Sequence, residues 1–134
     1  MSLPDSNVVI RTYLLTQAVA ALVANRIYCP RAPENAEVPN ITFFTRSGRS
    51  TPYIPDLATA SKQIDCWADD PLEARTIYGS LYDALQGIQN VPVDVDGTTY
   101  HIASAIEEVH GQDLVDTDIP GRFRVLSFWE IIIK

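Results

Sequence analysis

Two periods of apolar spacing alternate along this chain, one helical and one extended. Over residues 5–24, Val8, Leu15, Ala18, Val19 and Leu22 share a face at helical spacing, and Ile10, Leu14 and Ala21 widen the stripe. A single helix is predicted there. Asp5 or Ser6 would start it by accepting an orphan backbone N–H, and Asn25 would stop it. Residues 26–29 read as a short strand closed by Pro30. Residues 30–39, with Pro30, Pro33 and Pro39, read as an irregular link, because proline fixes φ and removes a donor. Residues 40–46 are β-branched and aromatic, hence a strand. In 62–68 the alternation is strict, with Ile64, Cys66 and Ala68 on one side and Gln63, Asp65 and Trp67 on the other.

A second helix has a strong start: Asp70 as N-cap, Pro71 in the first turn, Glu73 after it. Leu72, Ala74, Ile77, Tyr78, Leu81, Ala84 and Leu85 form its apolar face, and Gly87 ends it. Strands at 91–95 and 98–106 flank Asp96-Gly97, a hairpin turn that needs positive φ. Residues 107–120 read as an acidic connection, and 122–133 as a long final strand. The order α-β-β-β-α-β-β-β predicts one α+β domain over residues 1–134: a largely antiparallel sheet of about six strands with two helices on one face.

Residues 47–61 stand apart. They hold Gly48, Pro52, Pro55 and many small polar residues, and with Arg46, Arg49 and Lys62 they form the most basic part of the chain. So long a structureless link inside a compact domain predicts either a solvated hairpin tip or a flexible arm that orders against a partner. The final strand ends Glu130-Ile-Ile-Ile-Lys134. That is too apolar to sit bare at a sheet edge, so it is predicted to lie under the helices or to pair with another subunit.

Composition narrows the function. The 134 residues fit one domain, and no apolar run is long enough to span a bilayer. The N-terminus lacks the layout of a signal peptide, so synthesis and residence in a cytoplasm are expected. A formal net charge of −7 argues against a nucleic-acid-binding surface, which needs clustered Lys and Arg. Cys29 and Cys66 have neither zinc spacing nor a disulfide framework and read as free buried thiols. His101 and His110 have no partner at metal-ligand spacing. Asp94-Val95-Asp96-Gly97 matches the opening of a calcium loop, but the later ligands are missing and the hairpin accounts for it. No nucleophile elbow surrounds Ser80 or Ser127, and no glycine loop cradles a phosphate. Asp69, Asp70 and Glu73 suit a helix N-terminus. Trp67 and Trp129 suit core or interface. No catalytic residue, cofactor or metal is therefore assigned, and no enzyme is expected. The candidate subunit or partner contacts are Arg46, Arg49, Tyr53, Ile54 and Lys62 around the arm, Glu107, Glu108 and Asp113 in the acidic connection, and Trp129.

Taken in order, several features resemble the tail completion, or tail terminator, proteins of long-tailed phages and prophages. The amphipathic N-terminal helix runs into Arg26-Ile27-Tyr28. Arg31-Ala32-Pro33 leads to Val38-Pro39-Asn40-Ile41-Thr42. Gln63-Ile64-Asp65-Cys66-Trp67-Ala68 precedes a helix with Glu73-Ala74 and Leu81, and Arg122-Phe123-Arg124-Val125 opens the closing strand. Where family members often carry a Leu-Pro-Tyr step, this chain has Val38-Pro39-Asn40. The resemblance covers residues 5–134. It implies a mixed α/β fold and a homohexameric ring in the virion, at the head-proximal end of the tail tube. Such a ring, assembled in the bacterial cytoplasm, would stop tube polymerisation and meet the tail tube protein and the head-completion proteins of the neck. DNA would pass through it as cargo, and a negative bore would let it slide. A different neck or minor tail protein, and an unrelated small-ligand-binding α+β domain, are the alternatives.

Overall fold

The computed structural model describes residues 5–49, 53, 57–115, 119 and 121–134. Helices α1 (Ser6–Leu15) and α2 (Ala18–Leu22) come first, then strands β1 (Ile27–Tyr28), β2 (Asn40–Arg49) and β3 (Ala58–Ala68). Helix α3 (Pro71–Leu85) follows, then β4 (Gln89–Val95), β5 (Thr98–Val115) and β6 (Phe123–Ile133). The strands form one sheet in the order β1-β2-β3-β6-β5-β4, antiparallel except for the β1–β2 pair. This is the α+β class expected.

Alternation decides which face of the sheet is covered. Ile41 and Phe43 on β2, Ile64, Cys66 and Ala68 on β3, and Val125, Trp129, Ile131 and Ile133 on β6 are all buried on one side. Against them pack Val9, Ile10, Tyr13 and Leu14 of α1, Val19 and Ala20 of α2, and Ala74, Ile77, Tyr78, Leu81 and Leu85 of α3. Removing this apolar area from water, at roughly 25 cal/mol per Å², drives the layers together.

The first helix is two, not one. The Thr16 hydroxyl donates to the Tyr13 carbonyl at 2.6 Å, and Gln17 is extended (φ −98, ψ 163). Side-chain competition for that carbonyl ends α1. Within α1 the buried face is Val9, Ile10, Tyr13 and Leu14, which leaves Val8 exposed, and the break resets the phase in α2, so Leu22 is exposed as well. Asp5 caps α1 as expected, accepting from Asn7 N at 3.1 Å. Asp70 caps α3, accepting from Leu72 N at 2.9 Å, but Leu72 points outward.

Three further expectations change. Of the arm expected at 47–61, Ser47, Gly48 and Arg49 extend β2 and 58–61 open β3, while 50–52 and 54–56 lie outside the described residues. A Cβ on Gly48 would collide with the Thr59 carbonyl, so this glycine serves a close strand approach rather than a loop. The acidic connection is mostly strand, since β5 continues to Val115 through register shifts at 102/104, 107/109 and 109/112. Bulges let the strand curl while it keeps pairing with β6. Finally, β6 is no edge. It lies between β3 and β5, which accounts for its apolar ending. Asp96 (φ 51) and Gly97 (φ 85) form the expected β4–β5 turn. Among the described residues no helix is long and apolar enough to cross a membrane.

Candidate assembly interface

Among the described residues the face of the sheet away from the helices carries no second layer of helix or strand, and its own side chains close over it. Trp67 donates from Nε1 to Thr42 Oγ1 at 3.0 Å, and the Arg124 guanidinium lies 5.2 Å from the Trp67 ring centre. Arg124 also reaches Asp65 at 3.7 Å. Asp65 is 4% exposed, and burial raises its pKa against the pull of Arg124 and of the Gln63 amide. The register shift between Thr45 and Ser47 puts a bulge at Arg46, which turns its guanidinium over Phe128 at 4.0 Å.

The two flanks of the sheet differ. On one, β1 ends at the Tyr28–Thr42 pair, so from Phe43 to Arg49 the outer side of β2 has no strand partner among the described residues. Thr45 to Arg49 are exposed there, with two arginines. On the other, β5 outruns β4 beyond Ser104, and α3 takes over its backbone. Gln86 Oε1 accepts Glu107 N–H at 2.8 Å, Tyr78 Oη accepts Gly111 N–H at 3.1 Å, and Arg75 Nη1 donates to Gly111 O at 3.0 Å. The Tyr78 hydroxyl donates to Glu107 Oε2. His110 Nδ1 donates to Glu107 Oε1 at 2.8 Å, which fixes Glu107 from both sides. Side chains thus blunt β5 where it outruns β4, while the outer sides of β4 and of β2 from Phe43 to Arg49 have no strand partner among the described residues.

Lys62 lies on the covered face and is fully buried. Its ammonium donates to Ser6 Oγ at 2.6 Å, Asn7 Oδ1 at 2.6 Å and Thr45 Oγ1 at 2.5 Å, tying the start of α1 to β2 and β3. All three acceptors are neutral, and burial brings its pKa down to about 8. Trp129 is also fully buried, its Nε1 donating to Ser127 Oγ at 2.9 Å.

The residues expected at an interface therefore scatter. Arg46 and Arg49 lie on the open β2 flank, and Tyr53 is 91% exposed. Ile54 lies outside the described residues, as do Asp116 and Asp118. Lys62 and Trp129 belong to the interior, because each has a residue on the covered face as its strand partner. Glu107 belongs to the α3–β5 clamp. Exposed Glu108 accepts from Ser61 Oγ at 2.6 Å, and Asp113 meets Arg75 at 3.5 Å. The pairs that the sequence reading missed, Asp65–Arg124 and Tyr78–Glu107, lie far apart in the chain. Asp65 keeps the strict alternation of 62–68, so no local pattern marks the first.

A cleft of about 690 Å³ opens between the 31–36 loop and the end of the open face, lined among others by Arg31, Pro33, Asn40, Trp67, Ile119 and Arg122. Among the described residues no cluster of three or more His, Cys, Asp or Glu side chains is placed to hold a metal.

Comparison with known proteins gives this arrangement a context. A solved chain from the virion of a native gene transfer agent particle superposes with a TM-score of 0.65 over 96% of this chain and 95% of that one, at 15% identity, a likeness of fold. No curated protein matches the chain. The family model of tail completion protein gp17 matches residues 8–108, from α1 into β5. The chain belongs to the tail completion protein gp17 family, whose members are structural proteins of the phage tail.

Proposed function

We propose that this chain closes the head-proximal end of a phage tail tube. Copies form a homohexameric ring, the ring stops tube growth, and its far face meets the head-completion proteins of the neck. Family membership over residues 8–108 is the observation that carries this reading. The β2 flank supports self-association, since a strand edge without a strand partner among the described residues from Phe43 to Arg49 invites one. An isologous pairing of two such flanks would bring Arg46 and Arg49 of each copy together, so a heterologous contact is favoured, and heterologous contacts close rings. The hairpin joining β2 and β3, carrying Arg49 and exposed Tyr53, would reach the adjoining ring. The role is structural, without catalysis, and DNA is only cargo.

Removal of the gene tests this directly. Tails of uncontrolled length, accumulating beside filled heads that carry no tail, are the expected phenotype. Cryo-electron microscopy of intact particles should place the chain between tube and neck. Normal tails on normal particles after the deletion would sink the reading.

A further inference from the structure

Beside the stretch of β5 that outruns β4, an apolar notch of about 160 Å³ lies between the start of α3 and the neighbouring ends of β5 and β6. Pro71 and Ala74 of α3 line it, with Leu114, Val115, Phe123 and Val125. Leu72, on the same turn as Pro71 and Ala74, is 76% exposed, and Val115 is 64% exposed. Apart from Tyr53 these are the most exposed large apolar side chains among the described residues. Carboxylates rim the notch: Asp113 lines it, and exposed Asp69, Asp70 and Glu73 surround the start of α3. Of the cations beside it, Arg75 is paired with Asp113 and Arg124 with Asp65. A partner for this surface must therefore bring apolar contact and positive charge together. Arginine does both, since its stem lies along apolar surface while its guanidinium reaches carboxylates.

The β2 flank carries two such arginines. Arg46 and Arg49 are exposed, and neither makes an ion pair or a hydrogen bond among the described residues; Arg46 has its stack on Phe128. They cannot reach the notch of their own chain. Arg49 lies in the Thr59 row of the sheet and Asp113 in the Cys66–Val125 row, seven positions along β3 or roughly 23 Å at ~3.3 Å per residue, and on the far side of β6. The other acidic edge, Asp94 and Asp96 at the end of β4, suits the flank less. No large apolar side chain of β4 is exposed, and Pro92 withholds a donor from that edge. We infer that the β2 flank of one copy docks on the α3–β5 flank of a second copy, the stems of Arg46 and Arg49 covering Leu72 and Val115 and their guanidinium groups meeting Asp69, Glu73 and Asp113. An apolar centre with a charged rim is the usual layout of a protein interface. The contact joins two different surfaces, so it passes from copy to copy and can close a ring. It names the second surface of the self-association proposed above, and to that extent rests on it.

A mixing experiment tests the contact. One chain carries Arg46→Glu and Arg49→Glu, and the other carries Asp69→Lys and Glu73→Lys, which spares the Asp70 cap. Supplied alone to particles lacking the native gene, each should fold yet be incorporated about tenfold less or worse, because like charges then face each other. Supplied together, they should recover to within about twofold of the unchanged chain, since every contact in an alternating ring again joins opposite charges. Loss of folding cannot produce that recovery. Normal incorporation of either chain alone, or no recovery from two chains that fold by circular dichroism, overturns the inference. Paired cysteines give a readout independent of charge reversal. A chain carrying Arg49→Cys and Leu72→Cys should give a ladder of linked copies from oxidised particles on a non-reducing gel, and Asp83→Cys in place of Leu72→Cys should not. A ladder no stronger than that control also overturns the inference. Locating the chain by microscopy separates the two claims. A chain between tube and neck that shows neither recovery nor ladder sinks only this contact, whereas both results from a chain placed elsewhere in the particle sink only the proposed function.

Discussion

Tyr78 and Gly111 fit each other so closely that neither tolerates change in the other. The Gly111 N–H donates to the Tyr78 hydroxyl at 3.1 Å, and a Cβ on Gly111 would lie 2.8 Å from carbon atoms of the Tyr78 ring and 2.7 Å from Val125 Cγ1. Gly111 has no positive φ, so its role is close approach and not backbone freedom. Here α3 seals the flank of β5 where β4 has ended.

Gly111→Ala should therefore destabilise the fold by about 1–3 kcal/mol, the usual range for overpacking. Tyr78 cannot swing aside without giving up Glu107 and Gly111 together. Urea unfolding followed by circular dichroism reads this out. A loss below about 0.5 kcal/mol, typical of a neutral surface change, would mean that the clamp is loose.

Stability should respond to alkali in two opposed steps. Lys62 keeps a pKa of about 8 in the fold against an ordinary 10.5. Between those values the unfolded chain binds the extra proton, so stability rises with pH. Tyr78 has its pKa pushed up to about 12 from 10.0, by burial first and then by Glu107. Above pH 10 the folded chain holds the proton that the unfolded one loses, so stability falls towards pH 12. Lys62→Met should remove the rising contribution, worth of order 1–3 kcal/mol, and Tyr78→Phe should weaken the falling one, which Cys66, Cys29 and Tyr13, all pushed up by burial, share. Melting temperatures measured from pH 7 to 11.5 check both, and an unchanged rise in the Lys62→Met chain would refute the assignment.

How much of this was legible beforehand follows from range. Signals within one turn or one hairpin read correctly: the Asp5 and Asp70 caps, Pro71 at the start of α3, Gly87 (φ 78) at its end and the Asp96-Gly97 turn. The β3 alternation gave the covered face. Failures came where a tertiary partner overrides local pattern. Glu107, Glu108, His110 and Asp113 look like a loop because they are polar, yet β6 on one side and α3 on the other hold them as strand. Lys62 looks like arm surface until Ser6, Asn7 and Thr45 converge on it from two other elements. Strand order is likewise long-range, so β6 could be read as an edge although its burial was foreseen as one of two answers.

The Asp65–Arg124 pair should behave asymmetrically. Burial already pushes the Asp65 carboxyl up, and one of its oxygens has no partner. Asp65→Asn should thus be nearly neutral, within about 1 kcal/mol, since it removes a costly buried charge. Arg124→Met strands that charge and also uncovers Trp67, so a loss of roughly 3 kcal/mol or more is expected at neutral pH. Below pH 4 the gap should narrow, because a protonated Asp65 no longer needs its partner. A double-mutant cycle at pH 7 and pH 3.5 measures this, and equal costs for the two single changes would rule the asymmetry out.

The open flank of β2 makes the last prediction. Arg46 and Arg49 stand on the part of β2 whose outer side has no strand partner among the described residues, and the fold draws little on either charge. Arg46 is held by its stack on Phe128, an exposed contact worth about 0.5–1 kcal/mol. Arg49→Glu should leave the melting temperature unchanged, and Arg46→Glu should lower it slightly. If this flank joins subunits, the double reversal should strongly reduce incorporation into particles although the chain folds. Loss of incorporation should deepen as salt is lowered, because repulsion between exposed charges is screened within ~10 Å at 0.1 M. A shape change at the flank would instead block incorporation at every salt concentration. Normal incorporation of the folded double variant would show that copies meet elsewhere.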